Sequence, residues 1–293
     1  MNFFQRLFGS AEEDPEEKKK ETETRHFDAL KYDGIAALKM GQLEYATTCF
    51  THALQIKDDL EIHDHLSLAY IHQNQLSEAI DEIQILAAAQ PDNQAIWVRM
   101  ARVCYMMERY EQMAEACTHA QAAGEANAEV NFLFAEAHQG LGDNAAAVEC
   151  LGEAIALKAT FGAAYLLRGQ ILLSMNRLDE AEADADYLLE HAEPEEDIVL
   201  LKARIAHQKG DAQKAVEWYG RVTDTNPFCV AAFRERAKVY EEMGETALAA
   251  ADKATADELE PKDAADVSSE QSAEGIEQKT KEAYKNTLNP FGL

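Results

Sequence analysis

The sequence predicts an all-α protein, a right-handed α-solenoid in which about seven helix–turn–helix units stack on one another. Three observations predict this fold. Small residues return every 33 or 34 positions, apolar residues within each period follow helical spacings of three and four, and glycine, asparagine or proline stands where a helical stretch ends. At 47% hydrophobic the chain can bury a substantial core, and no run reaches the roughly 18 apolar residues that span a bilayer.

Three sets of positions carry the period. The first set is alanine in six units and methionine in one: Ala46, Ala79, Met113, Ala147, Ala181, Ala215 and Ala249. Five residues before each of them comes a set that is mostly glycine or asparagine: Gly41, Asn74, Glu108, Gly142, Asn176, Gly210 and Gly244. Twelve residues before comes a set in which every member is small: Gly34, Ser67, Ala101, Ala135, Gly169, Ala203 and Ala237.

Each unit is therefore expected to form a helix, a tight turn, a second helix and a short turn. The glycine or asparagine ends the first helix as a C-terminal cap, and prolines such as Pro91 and Pro227 end the second. The small residues let two helix axes approach closely. Trp97, Tyr165 and Phe233 share one phase and are expected to fill the space between units. One hairpin cannot bury its own apolar face, but a stack of hairpins can.

This pattern resembles the tetratricopeptide repeat (TPR). The resemblance covers about residues 27–261, or seven repeats, and predicts three regions. Residues 1–26 form a short apolar N-terminus with a charged linker, 27–261 form the array, and 262–293 form a flexible tail with one short helical pattern. The resemblance implies a non-enzymatic scaffold that holds a protein or peptide partner in a concave groove lined by the first helices.

The segments outside the repeats have their own patterns. Residues 11–24 are rich in charged residues, with five acids before three consecutive lysines, and are expected to form a disordered linker. Before them, Phe3, Phe4, Leu7 and Phe8 share one helical face. That face suits contact with a membrane surface or another protein, or packing on the first repeat, and stable membrane insertion is not expected.

The tail is expected to be a mobile arm rather than a docked cap. Ile276, Tyr284 and Leu288 share one helical face, and the lysines between them oppose the acidic array. Transient contact with the array of the same or a neighbouring chain leaves self-association open. Lys253 occupies a phase that is apolar in other units, so the last helix of the array is expected to face water.

Charge and cysteine content limit the class of protein. The chain carries 27 Lys and Arg against 54 Asp and Glu, a net charge of −27 that repels phosphate backbones, so nucleic-acid binding is not expected. The chain has five cysteines, which is an odd number, and it has no CxxC motif. Buried thiols in a reducing compartment are expected, which favours a cytoplasmic location.

No pattern in the sequence predicts a catalytic, cofactor or metal site. His63 and His65 are two residues apart on a helix and point in different directions, so they do not converge on a metal. The densest acidic stretch, 179–190, contains no glycine for a calcium loop and is interpreted as a solvated helix face. The chain also has no P-loop, no GxSxG and no HExxH motif.

The surface opposite the packing face of the first helices is the predicted partner site. We name it the inner wall: the 21 first-helix positions that share the phases of Val98, Arg102 and Tyr105. They hold five Lys and Arg against three Asp and Glu, whereas the chain as a whole is strongly acidic. Ten inner-wall residues are large and apolar. If half of them are exposed, they form a larger apolar patch than an ordinary monomer has on its surface.

Within the inner wall and beside it, a basic and apolar combination suits a partner segment with apolar anchors and acidic groups. The residues predicted to bind it are Arg99, Arg102, Tyr105, Leu166, Gln170, Leu200, Arg204, His207, Arg234 and Lys238. Some TPR proteins clamp a C-terminal carboxylate with Lys and Asn, and Lys31 matches one such position. Ile35 stands where Asn is needed, however, and Asp64 adds the wrong charge, so no clamp is predicted. The alternative function is an accessory subunit that binds a basic protein through acidic outer helices.

Overall fold

The structure is a computed structural model that describes residues 15–193 and 195–260, and within these ranges it contains fourteen α-helices and no β-strand. The helices are α1 Pro15–Lys39, α2 Leu43–Ile56, α3 Leu60–His72, α4 Leu76–Ala89, α5 Gln94–Met106, α6 Tyr110–Ala122, α7 Ala128–Gly140, α8 Asn144–Leu157, α9 Gly162–Ser174, α10 Leu178–His191, α11 Glu196–Gln208, α12 Ala212–Thr225, α13 Val230–Glu242 and α14 Thr246–Leu259.

Consecutive helices form the seven predicted hairpins, from α1 with α2 to α13 with α14. Within a unit, the second helix of a hairpin also packs on the first helix of the next, as α2 does on α3 and α8 does on α9. The described chain divides into two units, which are residues up to 112 with 118–124, and residues 113–117 with those from 125 onward. The predicted all-α solenoid of helix–turn–helix repeats is confirmed.

The turn inside each hairpin explains the glycine and asparagine set. Each turn has three residues, and its middle residue has a positive φ, from 55° at Glu108 to 80° at Gly244. In the first turn, the backbone N–H of Gln42 donates to the Ala37 carbonyl at 2.9 Å, and that of Gly41 donates to Leu38 at 3.0 Å. This bonding closes the helix around a left-handed residue, which glycine adopts most easily.

The other two periodic sets are buried throughout the array, because they lie where helices approach most closely. A Cβ atom added to Gly34 would lie 2.6 Å from Cε1 of Phe50, and one added to Gly169 would lie 2.9 Å from Cδ2 of Leu201. The small residues therefore leave room for large side chains of neighbouring helices, as the sequence predicts.

The large aromatic set lies elsewhere than predicted. Trp97 is only half-buried; its Nε1 donates to the Pro91 carbonyl at 2.8 Å, and its ring stacks on His119 of α6 with centroids 4.3 Å apart. Tyr165 is also half-buried and stacks on Tyr187 of α10 at 4.1 Å. Both side chains therefore pack between the two helices of their own repeat rather than filling the space between repeats.

The first helix begins earlier than predicted. The prediction of disorder over 11–24 is wrong from Pro15 onward, because α1 starts there with proline at its first position, where no N–H is needed. Glu21 pairs with Arg25 at 2.6 Å, and Lys19 lies 3.9 Å from Glu23. Opposite charges four residues apart support a helix even where, as here, residues 16–26 are exposed.

The predictions for the two ends of the chain are only partly covered by the structure. Lys253 is exposed and pairs with Glu241, so the last helix does face water as predicted. The apolar residues at 3–8 and the helical pattern from Ile276 to Leu288 lie outside the described residues. The proposals made for those two segments therefore stay predictions.

Candidate functional site

The first unit contains three of the predicted partner-binding residues, all on α5. Arg99 is half-buried, and its guanidinium donates to the Asp64 carboxylate of α3 at 2.6 Å and to the Ser67 hydroxyl at 2.9 Å. Arg102 and Tyr105 are also half-buried. Arg99 thus joins two neighbouring first helices of this unit.

The second unit brings the remaining predicted residues onto α9, α11 and α13. Leu166 and Gln170 are half-buried on α9. Leu200 of α11 is only 7% exposed and lies in the core between α11 and α12, so its predicted role in contacting a partner is wrong. Phase along a helix gives the direction of a side chain, but it does not show that α11 is buried on several sides.

Arg204 makes the most extensive contacts among these residues. Its Nε and one terminal nitrogen each donate to the carboxylate of Glu235 on α13 at 2.8 Å, and the Tyr219 hydroxyl donates to the same carboxylate at 2.9 Å. The hydrogen bond with Glu235 raises the pKa of Arg204. Burial alone would raise the pKa of Glu235, but the hydrogen bond and charge of Arg204 outweigh it and lower that pKa.

Two other predicted basic residues of the second unit also lie against carboxylates. His207 Nε2 lies 2.9 Å from Glu242, and Arg234 donates to Glu260 at the end of α14. Lys238 is exposed on α13. Three of the four residues in the predicted basic cluster therefore already have a carboxylate neighbour, with which a carboxylate of a partner must compete.

The apolar part of the inner wall is less accessible than predicted. Ile71, Leu173 and Leu200 are at most 8% exposed. The remaining seven are half-buried: Ile35, Leu38, Leu68, Val98, Tyr105, Phe132 and Leu166. None of the ten is fully exposed, although exposure of such side chains was expected. These side chains pack between helices, and only parts of seven reach the surface.

The acidic stretch of α10 is not simply a solvated helix face. Asp184 is 3% exposed, and both of its carboxylate oxygens accept hydrogen bonds from Arg168 of α9, at 2.6 and 2.8 Å. Lys202 of α11 donates to Glu182 and Asp186 at 3.1 and 2.6 Å. The interpretation as a solvated face holds for the exposed residues Asp179, Glu180, Asp186 and Glu190, but it is wrong for the buried Asp184.

Charge differs sharply between the two kinds of helix. The seven second helices carry nineteen Asp and Glu against three Lys and Arg, whereas the seven first helices carry fifteen against fourteen. The first helices are therefore nearly neutral within a strongly acidic chain. The prediction that second helices carry most of the acidity holds for the described residues.

His63 and the cysteines have structural environments. His63 is 7% exposed, and its ring nitrogens contact Glu82 of α4 and Asp58, the latter at 2.8 Å. Cys49, Cys104, Cys117 and Cys229 are buried and Cys150 is half-buried, and no disulfide joins cysteines within the described ranges. Burial raises the pKa of the Cys150 and Cys229 thiols to about 11, which disfavours the reactive thiolate.

The environment of His63 predicts a pH-dependent stability. Burial alone would lower the pKa of His63, but its hydrogen bonds and the charges of Glu82 and Asp58 raise it above 6.5. A raised pKa stabilises the fold below about pH 6.5, and this stabilisation is lost as the pH rises through the folded-state pKa. Urea denaturation at pH 6 and pH 8.5 should show that His63→Gln lowers stability more at pH 6. An exposed control, His52→Gln, should show no such difference, and equal losses for His63→Gln at both pH values would contradict the prediction.

Among the described residues, no group of three or more His, Cys, Asp or Glu side chains is arranged to hold a metal ion. In the same part of the chain, every helix is too short or too polar to cross a membrane.

Comparison with known proteins is consistent with the geometry. A tetratricopeptide-repeat family model matches residues 132–197 and 166–228. Mouse (Mus musculus) DnaJ homolog subfamily C member 3 is 28% identical over 219 residues, which are 70% of this chain and 37% of that protein. The chain thus spans little more than a third of the length of this relative.

Solved structures share the fold. PilW, described as a widely conserved type IV pilus biogenesis factor, matches with a TM-score of 0.59 at 17% identity, over 67% of this chain and 90% of PilW. PilF of Pseudomonas aeruginosa matches with a TM-score of 0.54 at 17% identity, over 70% and 94%. The C-terminal part of a TPR protein of Cytophaga hutchinsonii gives 0.57 at 14% identity, over 69% and 79%. The family match over residues 132–228 and the seven in-phase hairpins support tetratricopeptide repeats in this chain, and such repeats support a scaffold for protein–protein interaction.

Proposed function

We propose that the protein is a non-enzymatic scaffold whose first helices in the second unit hold a protein or peptide segment that carries acidic groups. The charge difference between the two kinds of helix carries this proposal. A partner with carboxylates is repelled by second helices with nineteen acids and three bases, but not by the nearly neutral first helices. Electrostatics thus favours the first-helix surface as the place of contact.

The ion pairs of this surface suggest how binding proceeds. Arg204 and Arg234 already bond to Glu235 and Glu260, so a partner carboxylate must share or exchange with them. Lys238 is exposed on α13 and is directly accessible to a partner. Leu166 of α9 is half-buried in the same unit, so part of its apolar side chain is accessible. Charged and apolar contacts are therefore both available within this unit.

The test uses one charge reversal and a matched control. After affinity capture with the intact chain identifies a partner, Lys238→Glu should weaken binding by at least about tenfold, or 1.4 kcal/mol, because it places a carboxylate where an acidic segment binds. Lys214→Glu, an equal charge change at an exposed position of second helix α12, should change the dissociation constant little. Calorimetry measures both. Equal affinity of Lys238→Glu and the original chain would contradict binding at the first helices.

A second candidate function is the capture of a basic protein by acidic second helices. The observation in its favour is the exposure of Glu78 and Asp81 on α4, whereas several acids of α10 are already held by lysine or arginine. Salt distinguishes the two functions. Binding to an acidic face should fall steeply between about 20 and 150 mM salt, and binding that includes apolar contacts should fall less. In either case we expect no nucleic acid, cofactor or metal as a ligand.

A further inference from the structure

The first helices of the later repeats share two buried positions, which pack on the preceding second helix where both helices belong to one unit. In α9 these are Ala164 and Ile171, which lie in one apolar cluster with Leu151 and Ala154 of α8. All twelve equivalent residues are at most 5% exposed: Ile62, Ile96, Val130, Ala164, Ile198 and Ala232 at one position, and Ala69, Val103, Ala137, Ile171, Ile205 and Val239 at the other. Burial at these positions is thus a constant feature of the repeat.

In the first repeat the same two positions are exposed. They are Ala29 and Ala36 of α1, and Tyr32 between them is 67% exposed. Met40, just after α1, is 66% exposed. We name these four residues the first-repeat face. It retains apolar side chains where a preceding second helix would pack, and no helix among the described residues covers it.

The last repeat also has an uncovered helix face, but this face carries polar residues. Lys253 of α14 stands at the position that Phe50, Leu151 and Tyr219 occupy in other second helices, where those side chains are at most 1% exposed. Asp257, one turn later, is exposed as well. The last helix is therefore polar where the first helix is apolar. A head-to-tail second copy would place Lys253 and Asp257 against the first-repeat face, so such a copy is a poor occupant.

We propose that the occupant is the chain's own segment 3–8, whose apolar side chains Phe3, Phe4, Leu7 and Phe8 share one helical face. The segment can reach the face. Tyr32 is seventeen residues beyond Pro15, or about 26 Å along α1. The seven residues from Phe8 to Pro15 span up to about 25 Å when extended, and a helical segment 3–8 adds about 8 Å.

This contact would stabilise the beginning of the array. Each repeat is stabilised largely by its neighbours, so a terminal hairpin with one uncovered face opens more easily than an internal one. Segment 3–8 supplies the first hairpin with part of the missing neighbour. The expected consequence is slower opening of α1, independent of any partner protein.

Hydrogen exchange of the full-length chain tests the proposal. In the variant Phe3→Ser with Phe4→Ser, amides of residues 29–40 should exchange faster, by on the order of fivefold, because their cover is removed. The control Asn2→Ser with Gln5→Ser changes polar residues of the same segment and should leave the exchange unchanged. In an oxidised sample, the pair Phe4→Cys with Tyr32→Cys should form an intramolecular disulfide, whereas Phe4→Cys with Gln84→Cys should not.

Three results would overturn the proposal. Unchanged exchange at 29–40 in the Phe3 and Phe4 variant would show that segment 3–8 does not cover the face. Exchange that slows with protein concentration, together with a dimeric mass in solution, would assign the face to a second copy. Protection that appears only with phosphatidylcholine and phosphatidylglycerol vesicles would show that segment 3–8 contacts a membrane instead.

Discussion

Replacing Asp184 with alanine is expected to lower the free energy of unfolding by about 3–5 kcal/mol. The Asp184 carboxylate is buried and accepts two hydrogen bonds from the Arg168 guanidinium, at 2.6 and 2.8 Å. The hydrogen bond with Asp184 raises the pKa of Arg168. The guanidinium stays charged in the variant even without this bond, because an arginine side chain is not deprotonated in proteins. Loss of the carboxylate therefore leaves a charged, largely buried group without its counter-ion.

Urea denaturation of the full chain measures this effect. Glu190→Ala is the matched control, because it removes an exposed carboxylate from the same helix and should change stability by no more than about 0.5 kcal/mol. The same arrangement recurs two repeats later, where Arg236 bonds to both oxygens of buried Asp252 at 2.7 and 2.8 Å. Asp252→Ala should thus resemble Asp184→Ala. A loss below about 1 kcal/mol for both would mean that these pairs behave as exposed ones.

Phe50→Ala is expected to cost about 3–5 kcal/mol, as large-to-small changes in a core do. The Phe50 ring is fully buried and joins three helices, since it packs with Phe27 of α1 and with Ile62 of α3. It also lies against Gly34, where no side chain can move in to fill the space that the ring leaves. The variant therefore loses buried area and retains a cavity.

The control for Phe50→Ala comes from the same helix. Tyr45 is 53% exposed, and Tyr45→Ala should cost less than about 1 kcal/mol. Thermal and chemical denaturation of both variants give the comparison. Similar losses at the two positions would show that the packing between the first and second repeats differs from the arrangement described above.

The sequence predicts the backbone of this protein well, because the same helix–turn–helix pattern occurs in all seven repeats. The turn at Glu108 is instructive, since neither Glu108 nor Met113 fits the pattern of its set. Both still take the predicted places, with Glu108 at a φ of 55° and Met113 fully buried. Neighbouring repeats with regular sequences specify the position of an irregular one.

The side-chain partners of the candidate site are much harder to predict. Arg204 and Glu235 are 31 residues apart, and nothing in their spacing distinguishes this pair from other charges on the two helices. Leu200 has the periodicity of an exposed position, yet it is buried because α12 packs beside it. Periodicity assigns a side chain to a helix face, but contacts depend on how closely the neighbouring helices approach.

The three-residue turns within the hairpins have a consequence for how the chain tolerates changes in length. One inserted residue would rotate the following helix by about 100° and move its buried face toward water. The connection between α6 and α7 is longer, five residues from 123 to 127, and lies where the chain passes into its second unit. Insertions and deletions should therefore be accepted at that connection and rejected within hairpins. Relatives of different length are then expected to differ by whole repeats of 34 residues or at this connection.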